Sequence, residues 1–179
     1  MKKLLSVLSL SMLLIVAACG SNTNSESETS GETEQADTKS VLLDFQSEVV
    51  SVLKKHNDAI VAYESAKSAF HDSETPEADK PSTEELEELK GSAIEASKAT
   101  VEGIKGLSVP AELDDSKEEI ESAFDDLTQA YTIRAEQADI ADPSVQEKAL
   151  EQFTKFEDKM GKVFEDTGLI KPSFVKELQ

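Results

Sequence analysis

The chain has 179 residues, with 37 acidic side chains against 18 basic ones, two histidines, one cysteine and no tryptophan, for a net charge of −19. So negative a chain repels nucleic acid and anionic lipid headgroups, both of which recruit Lys and Arg clusters. A single cysteine excludes an internal disulfide framework, so whatever folds must fold on an apolar core.

The chain opens with MKKLLSVLSLSMLLIVAAC. Lys2 and Lys3 form a positive n-region, residues 4–16 an apolar h-region, and Ala17 with Ala18 a small-residue cleavage site. Ser6, Ser9 and Ser11 interrupt the apolar run, which is shorter than the about 20 residues a spanning helix needs. An export signal over residues 1–18 fits better than a permanent transmembrane anchor. Val16-Ala17-Ala18-Cys19 resembles the lipobox of bacterial lipoproteins. That resemblance implies that the Cys19 sulfur receives a diacylglyceryl group and that a peptidase cuts between Ala18 and Cys19. Small side chains at 17 and 18 suit an extended backbone in a narrow peptidase cleft, and sulfur is the nucleophile that becomes alkylated. Two acyl chains hold a protein stably at a membrane where one does not. Gly20, the Ser/Glu-rich tract after it and a Lys-rich, Arg-poor composition further resemble small helical lipoproteins of Gram-positive bacteria. The resemblance implies a lipid-anchored location on the extracytoplasmic face of the cell membrane.

Without residues 1–18, 16 basic side chains face 37 acidic ones, a net charge of −21. Residues 20–38 contain no aromatic and one aliphatic residue, Ala36. A tract that buries so little does not offset its ordering entropy. The expectation for 19–38 is a lipidated cysteine and a disordered polar tether, spanning on the order of 25 Å. Residues 39–179 then form a single domain, and all seven Phe lie within it.

From Lys39, the residues Leu42, Phe45, Val49, Val52, His56, Ala59, Tyr63, Ala66 and Phe70 recur at steps of three and four, predicting one helix over about 39–71. Pro76 and Pro81 break the pattern. Ser82 and Glu85 form a capping box for a second helix with Leu86, Leu89, Ala93, Ala96, Thr100, Ile104 and Leu107 on its core face. Gly103 and Gly106 mark fraying at its end. A third helix, from between Pro110 and Ser116 to about Ile140, aligns Ile120, Phe124, Leu127, Tyr131, Arg134 and Ala138. Ser144 and Glu147 give a second capping box, opening a helix with Val145, Ala149, Phe153, Phe156, Met160, Val163 and Phe164. Gly168 suits the position after its end, and the apolar tail with Phe174 and Leu178 predicts a short docked helix. The fold expected is all-α, an antiparallel bundle of about four helices with a short C-terminal helix. A three-helix core with the fourth packed loosely, or a long coiled-coil hairpin, competes with it.

Chemistry is sparse. His56 interrupts an apolar seam, but its i±3 and i±4 neighbours Leu53, Val52, Ala59 and Ile60 bring no second ligand. Its bland reading is a satisfied polar residue near the bundle middle. His71 sits at a helix end, where a cation complements the dipole. Arg134, the only arginine, could clamp a ligand carboxylate or simply pair with an acid on a neighbouring helix. Asp114, Glu118, Glu121 and Asp125 form a carboxylate stripe, read as a solvated face rather than a Ca²⁺ site because no wrapping loop accompanies it. No nucleophile elbow, phosphate loop, zinc-helix or dinucleotide pattern is present, so neither catalysis nor a cofactor or metal is expected. The expected role is a non-catalytic binding or scaffolding module of the cell envelope, held by its lipid and meeting a protein or envelope partner. The alternative is a cation- or small-ligand-binding bundle using His56, Tyr63, Tyr131 and Arg134.

Overall fold

Each run of three-four apolar spacing becomes helix in the computed structural model, which describes residues 29–138, 142 and 144–179. Ala18, Cys19 and tether residues 20–28 lie outside the described residues. The helices are α1 (Thr29–Lys54), α2 (Asn57–His71), α3 (Thr83–Lys105), α4 (Lys117–Glu136), α5 (Ser144–Asp166) and α6 (Phe174–Glu177). A 3₁₀ segment, Ala111–Ser116, leads into α4. Among the described residues there is no strand, and the architecture is the expected antiparallel bundle with a short C-terminal helix.

The long-range contacts fix the directions. Val52 of α1 lies against Gly103 near the end of α3. Lys159 and Lys162 of α5 reach back to Asp126 and Glu119 of α4, and Lys39 in the first half of α1 approaches Gly168 beyond the end of α5. The first stem is therefore α1 followed by α2, and α3, α4 and α5 alternate in direction after it.

That first stem departs from the single helix expected over 39–71. It begins at Thr29, so residues 29–38 are helical rather than part of a tether. Extending an existing helix costs far less than nucleating one, and Glu32, Glu34, Gln35 and Ala36 are good helix formers. It also breaks at Lys55 and His56, where His56 adopts φ −125° and ψ 6°. Asn57 donates from Nδ2 to the Leu178 carbonyl at 3.1 Å, so the break is tied to the C-terminal segment. The buried stripe is Leu42, Phe45, Val49 and Leu53 before the break and Ile60, Tyr63 and Lys67 after it, rather than a seam through His56 and Ala66.

The other helices follow their patterns. In α3 the Ser82 hydroxyl accepts from the Glu85 N–H while the Glu85 carboxylate accepts from the Ser82 N–H, completing the capping box. The Ser82 N–H, together with the Ser82 hydroxyl donating to the same carboxylate oxygen at 2.8 Å, holds the Glu85 carboxyl below the usual carboxylate range. The second box expected at Ser144 is replaced by an Asx turn, in which the Asp142 carboxylate accepts from the Ser144 N–H at 2.8 Å. Every apolar residue placed on the fourth predicted helix is buried in α5. Gly168 has φ +72°, as its place after the helix end requires.

An aromatic chain runs through the middle. Phe45 of α1 lies 5.8 Å from Phe124 of α4, which lies 6.5 Å from Phe156 of α5. Phe156 touches Phe153 at 5.6 Å and Phe174 of α6 at 4.7 Å. Burying each such ring contributes about 1.5–3 kcal/mol.

Gly103 is not a fraying residue. A Cβ there would stand 2.7 Å from Val52 Cγ1, so the missing side chain sets how closely α3 approaches α1. Gly91 of the same helix would meet nothing within 4 Å. Gly103→Ala is expected to lower stability by about 1 kcal/mol, overpacking outweighing the gain in helix propensity. Gly91→Ala is expected to raise it by up to about 1 kcal/mol. Urea unfolding of the two variants measures both, and equal signs would refute the close-approach reading.

Candidate functional site

The lone arginine finds the partner the bundle offers. Arg134, in the last turn of α4, donates from Nε to Glu64 Oε1 of α2 at 2.9 Å, with both side chains largely withdrawn from solvent. Its guanidinium carbon lies 5.2 Å from the centre of the Tyr131 ring, one turn back on the same helix. The other Glu64 oxygen accepts weakly from Gln146 Nε2 of α5 at 3.4 Å. One ion pair thus joins α2 and α4 and touches α5. Burial pushes the Tyr131 phenol above its ordinary value of 10.0, Arg134 opposing the shift and Glu64 adding to it.

Two concavities meet at this pair, and both are lined by Ile60, Glu64 and Arg134. The inner one is a cavity of about 30 Å³, room for one or two water molecules. Tyr63, Ser97, Lys67 and Gln146 contribute its polar lining. Ser97 is fully buried, and its Oγ has no hydrogen-bond partner among the described residues. Lys67, 6% exposed, donates from Nζ to the Asp142 carbonyl and so ties α2 to the chain entering α5. The outer concavity is a groove of about 260 Å³ between α2, α4, α5 and the C-terminal segment. Ile60, Phe153, Tyr131 and Leu178 lie along its base, with Val61, Leu150 and Val175 on its walls.

Of the four residues singled out from sequence, three gather here. Tyr63 lines the cavity, Tyr131 the groove, and Arg134 both. His56 lines neither; it caps α2 at the break in the first stem without a side-chain capping bond. His71 packs edge-on against Phe70 at 5.4 Å, at the end of α2. Carboxylates alongside the α4 stripe are engaged from α5, since Lys159 holds Asp126 at 2.6 Å and Lys162 holds Glu119 at 3.3 Å. Among the described residues no three His, Cys, Asp or Glu side chains converge as metal ligands. The residues that sequence reasoning missed are Glu64, Lys67 and Ser97, and the exposed apolar trio. A fully buried serine among Ala93, Ala96 and Thr100 reads as a neutral helix residue, so no signal marked it.

No family model, curated protein or solved structure matches the chain.

Two measurements test the geometry of the site. A double-mutant cycle on Arg134→Met and Glu64→Gln should give a coupling of about 1–2 kcal/mol, above the 0.2–1 typical of exposed pairs such as Lys98 and Glu95. Little or no coupling would mean that the pair does not lock α2 to α4. Tyr131 gives a pH test. Its folded pKa lies above the unfolded value of 10.0, so the stabilisation is fully present below pH 10 and is lost as pH rises through the folded value. Relative to Tyr131→Phe, the native chain should lose stability only above about pH 10, as denaturant titrations across pH would measure.

Proposed function

We propose that the chain is a lipoprotein anchored by acylated Cys19 on the extracytoplasmic face of the cell membrane. Its helical domain acts there as a non-catalytic binding or scaffolding module for a protein or envelope partner. The observation that carries this reading is the ordered series of Lys2-Lys3, the apolar run to Val16, Ala17-Ala18 and Cys19. Each part has its own chemical reason in export, cleavage and alkylation. In this reading attachment comes from the acyl chains on Cys19. Among the described residues no helix is long and apolar enough to cross a membrane.

The binding part draws support from the groove, which joins exposed apolar walls to a fixed ion pair at its base. The non-catalytic part rests on sequence, where the one cysteine is assigned to the lipid and the two histidines stand on separate turns of the first stem. A second reading, a small-ligand or cation-binding bundle, takes its support from the cavity where Ser97 presents its hydroxyl beside Tyr63 and Arg134.

Growth of cells expressing the chain with a labelled fatty acid tests the anchor. The native chain should carry label and a mature N-terminus at Cys19, whereas Cys19→Ala should carry none and retain residues 1–18. Label on Cys19→Ala, or none on the native chain, would overturn the proposal.

A further inference from the structure

Five large apolar side chains are exposed among the described residues: Leu43, Val61, Leu150, Ile170 and Val175. Three of them, Val61, Leu150 and Val175, come from α2, α5 and α6 and meet on the walls of the one groove. Leu150 is 52% and Val61 47% exposed. Single exposed apolar residues need no explanation, but a concave set gathered from three elements does. Phe153 and Ile60 continue the apolar surface inward, where they are 4% and 3% exposed.

The polar surroundings decide what such a surface receives. Asp58 stands three residues before Val61 on α2, and Glu147 three before Leu150 on α5, each one turn away and exposed. On the third wall, Glu157 accepts a hydrogen bond from the Val175 N–H at 3.1 Å. Opposing them are Lys55 and Lys148, exposed within one turn of Asp58 and Glu147, Lys176 beside Val175, and Arg134, which is already engaged by Glu64 and Tyr131. Acidic and basic side chains nearly balance around the groove itself, which sits within a chain of net charge −19. That field draws basic partners toward the surface and turns acidic ones and anionic headgroups away.

We infer that this groove receives an amphipathic helix with basic flanks from a protein partner. The apolar stripe of that helix seats against Val61, Leu150, Val175 and Phe153, and its Lys or Arg side chains face Asp58, Glu147 and Glu157. Helix-in-groove recognition needs an apolar trough between helices and polar groups at its edges to fix register, and both are present. The inference rests on the binding-module reading and gives its partner a chemistry.

The test uses the full chain reconstituted in nanodiscs of zwitterionic lipid, titrated against fluorescent peptides of about 18 residues, enough for five helical turns. One peptide carries Leu on one face and Lys on the other, a second replaces Lys by Glu, and a third replaces Leu by Ser. Only the Leu/Lys peptide should bind in excess of empty discs, and added salt should weaken it. Leu150→Ser should weaken it about tenfold, and Leu150→Glu with Val175→Glu should abolish it, with helicity checked by circular dichroism. Equal binding to empty discs, equal binding of the Ser/Lys peptide, or unchanged affinity in Leu150→Ser would overturn the inference. Preference for the Leu/Glu peptide would overturn the basic partner while leaving the groove a binding site. Whether Cys19 carries fatty acid is read separately by the labelling experiment, so failure of peptide binding with a labelled chain overturns the groove and not the anchor.

Discussion

The contact between Phe156 and Phe174, 4.7 Å between ring centres and fully buried on both sides, holds the end of the chain in place. Without it the segment after α5 has no anchor of comparable size, because α6 has only four residues and cannot persist alone. Two features depend on that docking. The Leu178 carbonyl is placed to accept from Asn57 at the break between α1 and α2. Val175 and Leu178 become part of the groove. Phe124 carries the same aromatic packing across to Phe45, so α1 is tied to the opposite side of the bundle. The core thus supplies the cross-linking that a chain with one cysteine lacks.

Electrostatics in the bundle work by assignment of a small number of cations. Lys159 is held between Asp126 and Ser122, Lys162 by Glu119, Lys171 by Asp158 and Arg134 by Glu64. The Asp158 carboxylate raises the Lys171 ammonium above its ordinary pKa, although both groups lie near solvent. Along α3, the pairs Glu87–Lys90, Glu95–Lys98 and Glu102–Lys105 are exposed and three residues apart, each contributing a few tenths of a kcal/mol. With the cations occupied in this way, the surface that remains is acidic. The excess negative charge adds little to folding and governs instead which molecules approach.

How much could be read in advance follows from the range of each interaction. The face of α5, the capping box at Ser82, the positive φ at Gly168 and the docked tail are local patterns, and all appear where the spacing put them. The break at Lys55 and His56 has no Pro or Gly to announce it. What sits at the break is a bond from Asn57 to Leu178, 121 residues away. Gly103 looked like a helix end because its reason, Val52, lies on another helix. For the site, Arg134 on a core stripe correctly implied an acid across the interface, but the acid's identity required the fold. The groove was illegible for the same reason: Val61, Leu150 and Val175 each look like an ordinary exposed residue until three elements bring them together.

The start of α1 at Thr29 also bears on how an anchored chain would present the groove. Nine residues separate Cys19 from Thr29, a span of at most about 30–35 Å. Along the first stem, the groove begins at Asn57, about 40 Å from Thr29 at the helical rise. Attachment through Cys19 would reach the stem at Thr29, the end away from the groove. In the anchored arrangement proposed above, a bundle standing away from the bilayer would carry the groove on the side distant from the lipid. Negative charge near the headgroups of an anionic leaflet favours that stance over one lying flat. A groove so placed meets soluble or envelope proteins before it meets lipid, the geometry that a basic helical partner requires.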